Sequence, residues 1–221
     1  MSHVTFASIQ NNPEIRTYIK RADETLITLG YTEHSFAHVT KTAQTAREIL
    51  EALHCEPRLL ELAQIAGFMH DIGNVVNRVD HAQSGAIMAF RILDKLGMPA
   101  DEVATIVTAI GNHDEGTAVP VNAVAAALIL ADKSDVRRSR VRNQDITSFD
   151  IHDRVNYSVV DSSLHLEPED KTITLSITID TEICAVMNYF EIFLGRMVLC
   201  RRAANYLGLT FKLDINGQTL L

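Results

Sequence analysis

Residues 57–73 read PRLLELAQIAGFMHDIG. Proline suits the first turn of a helix, and the apolar side chains that follow recur at helical spacing. The pattern predicts an apolar helix that ends at His70 and Asp71 and is broken by Gly73. A neutral imidazole and a carboxylate at an accessible helix end are suitable ligands for a divalent metal. A His-Asp pair alone is a weak signal, because such dipeptides also occur by chance.

Helical patterns flank this segment on both sides. Asn12, Pro13 and Glu14 form a helix-start signal, and Gly30 is a typical helix end. The helical patterns predict further helices over residues 13–29, 33–53, 81–96, 99–111 and 121–131. The last of these is apolar on nearly all sides, which is typical of a helix at the centre of a bundle.

The pattern changes after Asn143. Residues 155–160 and 163–166 have the composition of short strands, and residues 172–179 alternate strictly between apolar and polar side chains. With the turn residues between them, they predict a hairpin, followed by a helix over residues 180–207 and a strand over residues 211–215. We therefore predict a mainly α fold, with a small C-terminal α+β extension of hairpin, helix and strand. The predicted domain organisation is a helical metal-binding domain (1–142), a linker (143–154) and an α+β subdomain (155–221).

Composition limits the classes of function. The net charge of −8 disfavours broad binding to nucleic acid or to an anionic membrane. The longest apolar run, residues 121–131, is too short to span a bilayer, and residues 1–12 lack the apolar core of a signal peptide. Three cysteines without a C-x-x-C pair argue against a disulfide framework. Together these features predict a cytoplasmic protein with reduced thiols.

Two further candidate ligands lie on other predicted helices. His38 is in the helix over residues 33–53, and Asp132 ends the most apolar helix, where a buried carboxylate is costly unless it is paired or bound to metal. The order of His38, His70-Asp71 and Asp132 over successive helices resembles the HD-domain superfamily of metal-dependent phosphohydrolases. The resemblance covers roughly residues 30–142 and implies a helical bundle in which these four side chains hold a divalent metal.

Two more histidines resemble those of a two-metal subgroup. His81 opens one predicted helix and His113 ends the next, in the order found in HD proteins that cleave diadenosine tetraphosphate with a di-iron centre. This resemblance implies that Asp71 bridges two metals, and that His81 and His113 hold the second ion. One or two transition-metal ions are therefore expected, with iron favoured and manganese, zinc or cobalt as alternatives. His81 and His113 are alternatively plain polar residues at helix ends.

His34 is a candidate substrate-binding residue. It lies four residues before His38, which would put both on one helix face. It could contact a phosphate or donate a proton, and a plain surface histidine is the alternative. The remaining histidines have no supporting context and are assigned no role: His3, His54, His152 and His165.

A basic segment follows Asp132. If this segment is helical, Lys133, Arg137 and Arg140 share a face next to the metal, where they would bind the phosphates of a substrate. A solvated charged face, or an internal salt-bridge cluster, is the alternative. RNA binding is disfavoured by the overall negative charge.

The resemblance implies hydrolysis of a phosphoester or phosphoanhydride bond in a nucleotide, with a dinucleoside polyphosphate as one option. Metal-activated hydroxide would attack phosphorus, with Asp71, Lys133 and Arg137 as the catalytic side chains. Two alternatives stay open: a single-metal nucleoside monophosphate phosphatase, and an HD-fold ligand sensor with little turnover. The expected partner is a small phosphate compound, and the C-terminal helix and sheet could support a homodimer.

Overall fold

The structure is a computed structural model that describes residues 4–220, so His3 lies outside the described residues. Within this range the chain forms nine α-helices: α1 (Phe6–Gln10), α2 (Pro13–Thr28), α3 (Phe36–Ala52), α4 (Pro57–Met69), α5 (His81–Lys95), α6 (Ala100–Gly111), α7 (Ala123–Lys133), α8 (Ile151–Ser158) and α9 (Val186–Tyr206). Four strands form one sheet: β1 (Val159–Glu167), β2 (Thr172–Ile179), β3 (Thr210–Ile215) and β4 (Gln218–Thr219). The predicted mainly α fold with a small C-terminal α+β extension is confirmed, whereas the domain boundaries stay a prediction.

Helix α7 lies at the centre of the bundle, as its apolar sequence predicts. It packs against α3, α4, α6 and α9. Its residues Leu128, Ile129 and Leu130 have no solvent exposure. Full burial of such a side chain stabilises the fold by about 1.5–3 kcal/mol. The C-terminal end of α7, which carries Asp132, is therefore held firmly inside the molecule.

In the N-terminal part of the chain, the start of α3 and the presence of α1 differ from the prediction. Helix α3 begins at Phe36 because Ser35 caps it: the Ser35 side chain accepts a hydrogen bond from the amide of Ala37 at 3.2 Å. The expectation that His34 and His38 share a helix face is therefore wrong, since His34 precedes the helix. Helix α1 lies in a segment for which no helix was predicted.

The basic segment after Asp132 is not an extension of helix α7. Helix α7 ends at Lys133, and the segment continues to a 3₁₀ turn over Arg138–Arg140. The guanidinium of Arg140 donates to the carbonyl oxygens of Glu33 and Asp135 at 2.9 and 2.7 Å, which holds the segment in a compact turn. The predicted shared helical face of Lys133, Arg137 and Arg140 is therefore not formed.

The C-terminal region contains the predicted hairpin, together with one strand (β4) and one helix (α8) that were not predicted. Strands β1 and β2 are antiparallel, β3 joins β2 in parallel, and β4 adds an edge, so the sheet has four strands instead of three. Helix α9 is the crossover between β2 and β3 and begins at Val186 instead of residue 180. Residues 151–158 form α8, where a linker and the start of a strand were predicted, and Asp150 caps this helix through the amide of Asp153 at 2.7 Å.

Two glycines allow the close approaches that bring the histidines together. A Cβ atom at Gly67 would lie 2.7 Å from the Cα of Ala43, so only glycine lets α4 approach α3 this closely. A Cβ atom at Gly73 would overlap the carbonyl oxygen of His81 and the amide nitrogen of Gly85. The first contact positions the helix of His70 against that of His38, and the second holds the start of α5 against the His-Asp turn.

We expect Gly73→Ala to lower the free energy of unfolding by about 1–3 kcal/mol, because the added methyl group overpacks a backbone contact. Gly195→Ala is the matched control, since a Cβ atom there on the surface of α9 meets nothing within 4 Å. That control should stabilise the helix by up to about 1 kcal/mol. Urea unfolding of both variants measures the difference, and an unchanged midpoint for Gly73→Ala would contradict the packing argument.

All three cysteines, Cys55, Cys184 and Cys200, are free thiols, and the latter two are buried. Burial raises the pKa of the Cys200 thiol to about 12.

Among the described helices, none combines the length and apolar character that crossing a bilayer requires.

Candidate metal centre and substrate cavity

Four buried imidazole rings form a continuous cluster. His38 comes from α3, His70 follows α4, His81 opens α5 and His113 follows α6. Neighbouring ring centroids are 5.2 Å apart for His38 and His70, 4.9 Å for His70 and His113, and 5.1 Å for His81 and His113. None of the four is more than 2% exposed. Residues separated by up to 75 positions in the sequence thus meet at one place.

Each ring presents the same nitrogen to the centre of the cluster. The Nδ1 atoms all contact an oxygen acceptor: the Asp135 carboxylate for His38 (2.8 Å), and the carbonyls of Gly67 for His70 (2.7 Å), Arg78 for His81 (3.0 Å) and Ile110 for His113 (2.6 Å). A carbonyl oxygen only accepts, so Nδ1 must carry the proton and donate. The lone pair of each neutral ring is then on Nε2, as in metal-binding histidines whose other nitrogen is fixed by an oxygen.

Two carboxylates lie among these nitrogens on one side of the cluster. Asp71 Oδ2 is 3.2 Å from His70 Nε2 and 3.6 Å from His38 Nε2. Asp132 Oδ1 is 3.3 Å from His38 Nε2 and 3.7 Å from His70 Nε2. Donor atoms that share one ion, each at about 2.0–2.2 Å, lie roughly 3–3.6 Å apart. The spacing of these four side chains therefore fits a single divalent cation.

The second oxygen of Asp71 faces the other side of the cluster. Asp71 Oδ1 is 3.6 Å from His81 Nε2 and accepts a hydrogen bond from Asn74 Nδ2 at 2.9 Å. Three groups of residues each bring potential ligand atoms within 4.8 Å of one another, and the groups share members. They are His38, His70 and Asp71; His70, His113 and Asp132; and Asp71, His81 and His113. The two oxygens of one carboxylate thus face two neighbouring sets of nitrogens.

Unpartnered buried atoms show that these residues fit a metal. His38 Nε2, His70 Nε2 and Asp71 Oδ2 are buried without a hydrogen-bond partner among the described residues. Such an atom costs about 1–3 kcal/mol of stability when it is left unsatisfied. All three belong to the donor set around His38 and His70, and a bound cation would satisfy all three together.

Protonation states also suit metal binding. Burial lowers the pKa of His81 and holds that of His113 well below its usual value, so both rings are neutral near pH 7. Burial alone would raise the pKa of Asp71, but the neighbouring His70 outweighs it and leaves the pKa well below the usual range. Burial lowers the pKa of His70, but the Asp71 carboxylate outweighs it and leaves that pKa raised. A metal and a proton therefore compete for His70 Nε2.

A cavity of about 510 Å³ opens onto this cluster. Asp71, His81, His113 and Asp132 lie in its wall. Further parts of the wall come from the segment before α3, the loop before α5, the loop after α6, the segment from Lys133 to Arg140, and the region of α8 and α9. Its volume is within the 300–1,000 Å³ typical of small-molecule sites.

The predicted substrate-binding residues divide into two groups. His34, Lys133 and Arg140 line the cavity. Lys133 Nζ is 2.6 Å from Asp132 Oδ2, whereas the guanidinium of Arg140 is engaged by backbone carbonyls. Arg137 is not part of the cavity wall, and its Nε donates to Asp135 Oδ1 at 2.9 Å. For Arg137 and Arg140 the structure thus shows an internal salt-bridge cluster, the alternative considered for this segment.

Several residues of the site had no clear signal in the sequence. Asp135 orients His38, Arg78 lies 3.4 Å from His81 Nε2, and His152 of α8 and Arg196 of α9 reach the cavity. Asp135 could have been suspected as a second carboxylate close to Asp132. The other three are distant in the sequence from the His-Asp motif or lie in a loop, and only the packing of the chain brings them to the site.

Comparison with known proteins identifies the family of this chain. The family model of the HD domain matches residues 35–154, from the cap of α3 into α8. The uncharacterized protein MJ1020 of Methanocaldococcus jannaschii is 23% identical over 226 positions, covering 92% of this chain and 86% of that protein. A crystal structure of a predicted HD superfamily hydrolase from an uncultured Thermotogales bacterium is 27% identical and covers 57% of this chain and 68% of its own, with a TM-score of 0.45. Because the family model spans more than half of the chain, this protein belongs to the HD-domain family and is a metal-dependent phosphohydrolase.

Proposed function

We propose that this protein hydrolyses a phosphoester or phosphoanhydride bond of a nucleotide at the cluster of His38, His70, Asp71 and Asp132. The observation that carries the proposal is the convergence of Nε2 atoms, fixed by Nδ1 hydrogen bonds, on the carboxylates of Asp71 and Asp132 in the wall of a cavity. We further propose that Asp71, His81 and His113 hold a second ion. A sensor that only binds a ligand has less need of so complete a ligand set.

The ions would supply one part of the chemistry: a divalent metal lowers the pKa of bound water and neutralises phosphate oxygens. The chain supplies the rest. Lys133, which is 6% exposed, presents its ammonium group to the cavity beside Asp132 and would bind a phosphate oxygen. His34 donates Nδ1–H to the carbonyl of Thr32 at 2.7 Å, so its Nε2 would contact a phosphate oxygen or protonate the leaving group only after it has itself taken up a proton. For Arg137 we propose a positioning role through Asp135.

The charge of the cavity wall favours a substrate with one phosphate group. The wall contains six carboxylates (Asp71, Asp114, Glu115, Asp132, Asp150 and Asp153) and four cationic side chains (Arg78, Lys133, Arg140 and Arg196). One or two divalent ions would make this wall neutral or weakly positive. A phosphomonoester carries a charge of about −1.5 to −2, which such a wall can balance. A nucleoside monophosphate is therefore our first choice.

A dinucleoside polyphosphate is the second candidate. The specific observation in its favour is the second donor set, in which Asp71 Oδ1 faces His81 at 3.6 Å while Asp71 Oδ2 faces His38 and His70. This arrangement is similar to the two-metal centre expected for the diadenosine tetraphosphatase-like subgroup. A longer phosphate chain, however, places more negative charge near the same six carboxylates.

A phosphate-release screen tests the proposal. Purified protein is depleted of metal, reloaded separately with iron, manganese, zinc or cobalt, and assayed against nucleoside monophosphates, nucleoside triphosphates and diadenosine polyphosphates. We expect release of phosphate from a monophosphate with at least one metal. Nucleoside diphosphate formed from diadenosine tetraphosphate would favour the second candidate instead. Ligand binding without turnover under every metal would favour the sensor.

Three attributes accompany the proposal. Among transition metals we favour iron, since mixed histidine and carboxylate ligands suit it. We also propose a cytoplasmic location, on the basis of three free cysteines, and a homodimer formed through the C-terminal extension. Elemental analysis, cell fractionation and light scattering measure these attributes separately.

A further inference from the structure

A cation from the C-terminal extension reaches the proposed catalytic cavity. Arg196 belongs to α9, outside residues 35–154 that match the HD family model. It nevertheless lines the same cavity as Asp71, His81 and Asp132. Its side chain is 20% exposed, so it is largely desolvated but still accessible from the cavity.

The guanidinium is held in a defined orientation. Its central carbon lies 4.0 Å from the ring centroid of Phe193, one helical turn earlier on α9. Its Nε donates to Glu115 Oε1 at 2.8 Å. Within residues 4–220, no hydrogen bond engages its two terminal nitrogens. Stacking and one hydrogen bond therefore fix the group while leaving free the pair of donors that suits bidentate binding of phosphate.

Glu115 connects this guanidinium to Lys133. Glu115 Oε1 is 2.8 Å from Arg196 Nε and 3.9 Å from Lys133 Nζ, and Lys133 is in turn 2.6 Å from Asp132. Two cations from different parts of the chain thus converge on one carboxylate beside a proposed metal ligand. A purely structural ion pair would need only Arg196 and Glu115. Arg196, Glu115 and Lys133 all lie in the wall of the same cavity.

We propose that Arg196 binds a phosphate oxygen of the substrate, so that the C-terminal extension contributes a substrate-binding residue to the HD site. Glu115 competes with the substrate for this guanidinium. The inference rests on the proposed function for its substrate class. The binding of inorganic phosphate tests it without requiring turnover.

The test is calorimetric titration of inorganic phosphate into the manganese-loaded protein, with bound manganese measured for every variant. Arg196→Gln should raise the Kd for phosphate about tenfold or more, because hydrogen bonds to charged groups contribute about 1.5–3 kcal/mol. Arg202→Gln, which removes an exposed arginine of the same helix, should leave Kd unchanged. A Kd for Arg196→Gln within twofold of the wild-type value would overturn the proposal, as would absence of phosphate binding by the wild-type protein.

Glu115→Gln separates binding from a structural role. If the ion pair is only structural, Glu115→Gln and Arg196→Gln should change phosphate affinity in the same direction. If Arg196 binds phosphate, Glu115→Gln should lower Kd, and this gain should shrink in the double variant with Arg196→Gln. An equal gain with and without Arg196 would overturn the proposal. If no nucleotide is hydrolysed in the screen but Arg196→Gln still weakens phosphate binding, the proposed substrate is wrong and the role of Arg196 in binding phosphate is supported.

Discussion

Asp71→Asn is expected to lower kcat/KM for phosphate release by on the order of 10³-fold or more, the largest effect among the substitutions considered. The two oxygens of this carboxylate face different sets of nitrogens: Oδ2 lies 3.2 Å from His70 and Oδ1 lies 3.6 Å from His81. An amide has one oxygen, which is a weaker ligand, and a nitrogen that donates instead of accepting. The substitution should therefore lower the bound metal at both sets.

Metal content distinguishes this explanation from a general loss of structure. Elemental analysis measures the total metal per chain. Asp71→Asn, which affects both proposed positions, should therefore retain less metal than a variant that affects only one of them. His81→Ala should remove only the second ion. Asp94→Asn, at an exposed position of α5, is the control and should keep full metal and activity. Full metal content in Asp71→Asn would contradict the proposed bridging position of Asp71.

Asp135→Asn is expected to weaken metal binding 10–100-fold, although Asp135 is not itself a proposed ligand. Asp135 has no solvent exposure. Its Oδ2 accepts from His38 Nδ1 at 2.8 Å, while Oδ1 contacts Lys41 Nζ and Arg137 Nε, both at 2.9 Å. An asparagine places an NH₂ group against one of these donors. It then either releases the orientation of His38 or turns its NH₂ group toward Lys41 and Arg137.

The same substitution should lower the free energy of unfolding by about 1–3 kcal/mol, the cost of leaving a buried hydrogen-bonding group without its partner. Metal competition with a chelator measures affinity, and urea unfolding of the metal-free protein measures stability. Asp170→Asn, at an exposed position of the β1–β2 turn, is the control. Unchanged metal affinity would contradict the role of Asp135 in orienting His38, even if stability falls.

Local chemistry made the helical bundle predictable. Asn12 caps α2 through the amides of Glu14 and Ile15, as the start signal predicts. The apolar spacing of residues 57–73 gives a helix that ends at Met69, with His70 as its C-cap. The strict alternation of residues 172–179 corresponds to β2, in which Ile173, Leu175 and Ile177 face the core. These signals depend on contacts between residues close in sequence, so a single chain contains enough information to identify them.

The prediction failed where distant contacts outweigh local preference. The basic residues after Asp132 could continue a helix, but Arg140 donates to Glu33, more than one hundred residues away in sequence, and the segment turns instead. The deciding partner is therefore outside the window that periodicity describes.

The candidate site, like the fold, was predictable from the sequence only in part. The order His38, His70-Asp71, Asp132 along successive helices was enough to predict a metal ligand set from the sequence alone, because ligand chemistry restricts the residue types. The tautomers of the four rings, the partner of His38 and the arrival of Arg196 depend on which backbone carbonyls and helices lie against them. Residue type and local periodicity therefore determined the metal chemistry and the helices, whereas long-range packing alone decided how the donors point and which cations surround the cavity.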